Sequence, residues 1–429
     1  MAKIVRGELA AEVRRSPLRL LIIPLLAIDL FFLFEGPRYW IGVWPQASVA
    51  AQLPALYLGP AMAGVAAWVA AKRGPGGMGE DGQLLPVPSR WRSATVSFTS
   101  TVVYGLSVYA VGAVAAAVVS VPEASLGFLW MGSLLPGVAV ILICTALGHA
   151  VGMVTRSILL ASLACAVASM VVLRYLANGL ELLVFYGDPS REVAPIAVSF
   201  RLASALLACG AAVAVTVSLM GWHPDGHRLQ AACTGAGSVI LLLVALGLLY
   251  VAPRVSGPLV MAREASIPLC SNAVPKVCVW PENRKYLSEL SAMATRLRNL
   301  PSMMSAPPAF FEHGLRNGGA GETEQGFEII EGYLWSAADG MAQRVLDLSI
   351  PAVCELKTPA DEAKVVQARR EVLTWLKSHA VNGRRPAGIR GGAPVDYEEI
   401  GRLVLESQHI QQTWVQERIK IIKDSPCAA

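Results

Sequence analysis

Seven stretches of the chain lose nearly all their polar residues for long enough to cross a bilayer, which takes about 20 mainly apolar residues of helix rising about 1.5 Å each. They run from Pro17 to Phe34, Val49 to Ala71, Ala94 to Val121, Leu126 to Val154, Ile158 to Phe185, Val198 to Met220 and Leu229 to Val251. Beyond Val251 the pattern changes to amphipathic helical spacing. Tyr286, Leu287, Leu290, Met293, Ala294, Leu297 and Leu300 recur as one helical face after Pro281, and such a face predicts a helix packed on a core. Further helices are expected over Glu328 to Leu348, over Pro359 to Ala380 with Thr358 as N-cap, after Asp396 with Glu399 as a capping box, and over Ile410 to Ile422. The short "KVCVW" reads as a strand and "NGRRPAGIRGGAP" as a loop.

Charge follows the same division. Of the 67 Asp, Glu, Lys and Arg residues, 41 follow Ala252, so the two parts are built for different solvents. The expected architecture is therefore an α-helical polytopic membrane protein. Residues 1–16 form an amphipathic cytoplasmic interface helix with Ile4, Val5, Leu9 and Val13 on one side, 17–252 a transmembrane bundle, and 253–429 a mostly helical soluble domain. No cleavage motif follows the first apolar run, which is expected to remain as an anchor.

Lys and Arg in short loops are retained in the cytoplasm. With the N-terminus inside, the inner loops hold Lys3, Arg6, Arg14, Arg15, Arg19, Lys72, Arg73, Arg90, Arg92, Arg156 and Arg228, against Arg38, Arg191 and Arg201 outside. An odd number of crossings puts the last domain outside the cell, in a plasma-membrane protein with seven passes. The cysteines fit this: Cys144, Cys165, Cys209 and Cys233 lie in or beside apolar segments, while Cys270, Cys278, Cys354 and Cys427 lie in the exported part. Four exported cysteines allow three connectivities, and we favour Cys270 with Cys278 and Cys354 with Cys427.

Four ionisable groups fall inside apolar segments: Asp29, His149, Arg174 and Glu181. Each costs a few kcal/mol in hydrocarbon and asks for a reason. Arg174 and Glu181, seven apart, would share one helical face, with Asp29 as counter-charge to Arg174. A polar path through the bundle is one reading; snorkelling and packing is the other.

The formal net charge of +5 is small and evenly mixed in the soluble part, which argues against nucleic acid as partner. No HExxH or paired Cys-x-x-Cys is present, and no Walker A sequence. Neither a metal, a cofactor nor an enzymatic activity is expected, and the chain supplies no P-loop ATPase of its own.

The stretch "GEDGQLLPVPSRWRSATVSF" resembles the first cytoplasmic loop of the ABC-type export permeases with six-helix subunits. The positions that carry the resemblance are Glu80, Gly82, Leu84, Leu85, Pro86, Ser89 and Arg90. It implies an ATPase-coupling loop at those residues, an amphipathic N-terminal helix, a separate ATP-binding subunit, and assembly as a homodimer or heterodimer. A seventh crossing and a large outer domain depart from the six-helix pattern. "RRSPLRLLIIPLLAIDLFFLF", "YWIGVWPQASVAAQ" and "VCVWPENR" also resemble an actinobacterial group of integral membrane proteins with an exported C-terminal domain. The alternative to transport is a membrane-anchored extracytoplasmic binding or assembly protein.

Overall fold

A computed structural model describes residues 13, 18–73, 87–155, 157–176, 181–220, 244, 247, 250–251, 254–255, 257–300, 304–316, 326–350, 358–383 and 395–425. The chain divides into two compact units, Met1–Met261 and Ala262–Ala429.

In the first unit the helices are α1 (Leu18–Phe34), α2 (Trp44–Gln52), α3 (Ala55–Arg73), α4 (Val87–Ser120), α5 (Met131–Val154), α6 (Ile158–Leu176) and α7 (Pro195–Met220). Among the described residues five helices are long and apolar enough to cross a membrane: Trp44–Lys72, Ala94–Ser120, Met131–Val154, Ile158–Tyr175 and Pro195–Ser218. The first of these five is bent where Leu53 and Pro54 separate α2 from α3, because proline cannot donate to the helical ladder. At 17 residues, α1 lies at the short end of what spans hydrocarbon. The seventh expected segment lies almost wholly outside the described residues, as does the expected interface helix.

Exposed apolar side chains form a belt on α1 (Leu20, Ile23, Phe31) and α6 (Leu159, Leu160, Leu163, Val167), the surface that lipid tails would cover. The inner contacts are made by small residues. A Cβ at Gly148 or Gly152 of α5 would run into the backbone oxygen of Ala63 or Ala67 of α3, so two small residues four apart on each helix let the backbones touch. On its other side α3 meets α6, where Ser162 donates to the Gly64 carbonyl at 2.9 Å.

One end of the bundle is knitted together around the start of α2. Trp44 Nε1 donates to Ser125 O at 2.9 Å, and Ser48 Oγ accepts from Trp130 N at 2.7 Å. The backbone of Pro45 and Gln46 lies against Gly187. The short strand β1 (Arg191–Val193) pairs there with β2 (Val260–Ala262).

The second unit has its own core. Its elements are β3 (Leu269–Cys270), β4 (Lys276–Val279), a 3-10 turn (Pro281–Tyr286), α8 (Leu287–Arg298), β5 (Ala309–Phe311), α9 (Leu334–Ser349), α10 (Pro359–Ala380), α11 (Tyr397–Leu403) and α12 (Gln408–Asp424). Strand β4 is central, antiparallel to β3 and parallel to β5. Val365, Ala368, Val372, Trp375 and Leu376 of α10 are buried at the spacing of one helical face. Thr358 Oγ1 accepts from Asp361 N at 3.2 Å, and Asp396 Oδ1 accepts from Glu398 N and Glu399 N. Both caps satisfy amides that have no partner within the helix. The expected helix over Glu328 to Leu348 begins only at Leu334, since Phe327 and Ile330 make isolated bridges instead.

Candidate functional site

Asp29 is one of the polar groups buried in the bundle. It is fully buried on α1, and neither carboxylate oxygen has a hydrogen-bond partner among the described residues. Its carboxylate occupies the space a Cβ would take at Gly112 of α4. Only glycine, which lacks that atom, admits the side chain there. The expected ion pair with Arg174 is not formed: Arg174 lies in the last turn of α6 and is exposed.

Next to Asp29 on α4 is Tyr109, one turn from Gly112, whose hydroxyl donates to Leu134 O of α5 at 2.9 Å. A Cβ at Gly137 would strike both this hydroxyl, at 2.5 Å, and Cγ of Gln52, at 3.1 Å. Gln52, also fully buried, ends α2 at the bend and uses its whole amide on one partner. Its Nε2 donates to Val184 O at 3.1 Å and its Oε1 accepts from Val184 N at 3.3 Å. The side chain replaces the strand that an irregular, buried backbone would otherwise need. Asp29, Tyr109 and Gln52 thus make a polar tier across α1, α4, α5 and the bend between α2 and α3.

Glu181 corrects the expectation of a shared helical face with Arg174. Helix α6 ends at Leu176, and Glu181 has a left-handed backbone with φ of 46°. Its partner is Arg201 of α7, read from the sequence as a loop charge and in fact 1% exposed. Arg201 Nε donates to Glu181 O at 2.8 Å, and its guanidinium lies 3.7 Å from Glu181 Oε2. The same oxygen accepts from Leu259 N at 2.6 Å. Neither Arg201 nor Gln52 carries a sequence signal beyond being polar near an apolar run.

His149 of α5 is buried where α4, α5 and α7 meet. Its ring contacts Phe98 edge-on at 5.2 Å, and Nε2 lies 3.0 Å from Thr216 Oγ1. Thr216 spends its only hydroxyl proton on Ala212 O, so it accepts from Nε2, and this assigns the Nε2–H form to the imidazole.

Of the expected coupling loop, Glu80, Leu84, Leu85 and Pro86 lie outside the described residues, and Ser89 and Arg90 fall in the opening turns of α4. That helix has 34 residues, about 51 Å at 1.5 Å per residue, so it overruns a hydrocarbon layer of about 30 Å. Cys270 and Cys278 are joined, at directly opposed positions of β3 and β4. Cys354, Cys427 and Cys233 lie outside the described residues; Cys144, Cys165 and Cys209 are free thiols.

In the second unit Glu312 is buried and fixes the strand-to-turn junction. Its carboxylate accepts from Trp280 N at 2.9 Å and from Asn283 Nδ2 at 2.5 Å. Among the described residues no group of three His, Cys, Asp or Glu could hold a metal ion. The chain matches no family model, no curated protein and no solved structure.

Proposed function

We propose that this chain is the membrane-embedded, permease-like subunit of an ABC-type exporter, driven by a separate ATP-binding subunit and working as a dimer of membrane subunits. The observation that carries the reading is the continuity of α4. One unbroken helix runs from Ser89 and Arg90, in the stretch that resembles a coupling loop, to Gly112 at the buried Asp29 carboxylate. A push on its first turns would reach the contact with His149 at Phe98 and the polar tier at Tyr109 without passing a hinge. Alternation of the bundle would then change the surroundings of Asp29, Tyr109 and Gln52.

The reading includes seven crossings with the N-terminus inside and the second unit outside. Supporting it, α7 starts beside β1 and runs 26 residues away, yet Leu259 is bonded to Glu181 and Ala194 near that start. In the sequence between Met220 and Leu259 lies the apolar run from Leu229 to Val251, long enough for one more crossing. The Cys270–Cys278 bond also suits an oxidising compartment.

Affinity isolation of the intact complex from native membranes tests the proposal. Co-isolation of an ATPase, lost on Leu84→Asp with Leu85→Asp, is expected; if no ATPase accompanies the wild-type chain, the reading falls. A second reading, a membrane-anchored extracytoplasmic binding or assembly protein, is favoured by the separate core of the second unit and predicts cell-envelope partners in the same isolate.

A further inference from the structure

The last turns of α8 and α10 hold each other by a reciprocal clasp. Arg296 Nε donates to Ala380 O at 2.6 Å, and the His379 imidazole bonds in return to the Arg296 backbone. A backbone group that favours the protonated ring is a carbonyl oxygen, so the ring donates to it. The other ring nitrogen, Nδ1, is buried and has no hydrogen-bond partner among the described residues. Nor has Nε1 of the fully buried Trp375, whose ring lies 5.5 Å from that of His379. The neutral imidazole, with one donor and one acceptor nitrogen, fits this setting; the imidazolium, with two donors, does not.

The surrounding charges offer a second proton no support. From α8 the facing group is the Arg296 guanidinium, of like sign. On α9, Asp339 is bonded to Lys377 and Asp347 to Arg369. On α12, Arg418 holds Glu371, and on α11 Glu399 and Arg402 line a groove with Trp414 of α12. Burial is the main force holding the imidazole below its usual range. The bond to the Arg296 backbone works the other way, and the Arg296 charge adds to the lowering.

We propose that the α8–α10 clasp is a proton-operated joint of the second unit, in which uptake of a proton at His379 Nδ1 places an unpartnered N–H and a second positive charge beside Arg296 and releases the two helix ends. The sign follows from linkage. A histidine that titrates lower when folded contributes stability that is present above its ordinary range and lost as pH falls toward the folded value. The joint is therefore closed at neutral pH and opens on acidification, whichever reading of the membrane unit holds.

Hydrogen–deuterium exchange of the full chain in lipid nanodiscs, near pH 7.5 and near pH 5 and corrected for intrinsic exchange, tests it. Peptides covering the ends of α8 and α10 should lose protection several-fold at the lower pH, while the core of α9 keeps it. His379→Gln should remove that response, and Arg296→Gln, which deletes the like charge and so lets the imidazole titrate nearer its ordinary range, should weaken it. Wild-type protection that does not change with pH overturns the proposal even if a variant fails to fold. So does a His379→Gln chain that opens on acidification as the wild type does.

Discussion

Gly112 and Asp29 occupy the same space from opposite sides: the carboxylate of one fills the position where the other lacks a Cβ. Because the carboxylate has no partner among the described residues, it contributes no bond that its loss would break. Asp29→Ala should leave stability unchanged or raise it by about 1–3 kcal/mol, the usual cost of a buried unsatisfied polar group. Gly112→Ala should destabilise by a similar amount through overpacking. The double variant should recover most of that loss, a coupling that a double-mutant cycle by thermal unfolding in detergent measures directly.

The close approach of α3 and α5 makes a second contrast among glycines. Gly148→Ala and Gly152→Ala would drive a methyl group into the backbone of α3, and each should cost about 1–3 kcal/mol or more. Gly210 of α7 has nothing within 4 Å of its Cβ position. Gly210→Ala should be neutral or stabilise by up to about 1 kcal/mol, because alanine favours the helix. Melting temperatures of the three variants check the order.

Arg201 ties α7 to the Glu181 backbone and, through the Glu181 carboxylate, to Leu259. Arg201→Met removes donors from a buried carbonyl and should cost about 1–3 kcal/mol. Glu181→Gln keeps an acceptor for Leu259 N and should cost less. Limited proteolysis near Pro258 should be faster in Arg201→Met than in Glu181→Gln; equal rates would argue against the linkage.

Replacing both Cys270 and Cys278 with serine should lower stability by about 2–3 kcal/mol in the loop-entropy account of a short closed loop. Denaturant unfolding of reduced and unreduced protein reads the difference. Mass spectrometry of unreduced protein from native membranes should find the two peptides linked.

The parts of the fold legible in the sequence are those set by local chemistry. Thr358 and Pro359 mark the start of α10 because capping and a fixed φ act within one turn, and Lys276–Val279 reads as a strand from its β-branched residues. The three-stranded sheet escaped notice because β3 and β5 are 2 and 3 residues long, and the pairing of β5 with β4 depends on chain brought back by α8. The polar tier was legible only at Asp29. A charge in hydrocarbon stands out, whereas the bidentate hold of Gln52 on Val184 spans 132 positions and leaves no periodic trace. Arg174 and Glu181 misled for a related reason: spacing places two residues on one face only while the helix lasts, and apolarity alone does not show where it stops.

The account turns on which side of the membrane the second unit occupies. Protease treatment of intact cells, followed by detection of the region after Pro253, measures this directly. Digestion of that region while the envelope is intact is the predicted result. Its survival until the envelope is broken, with digestion afterwards, would contradict the account.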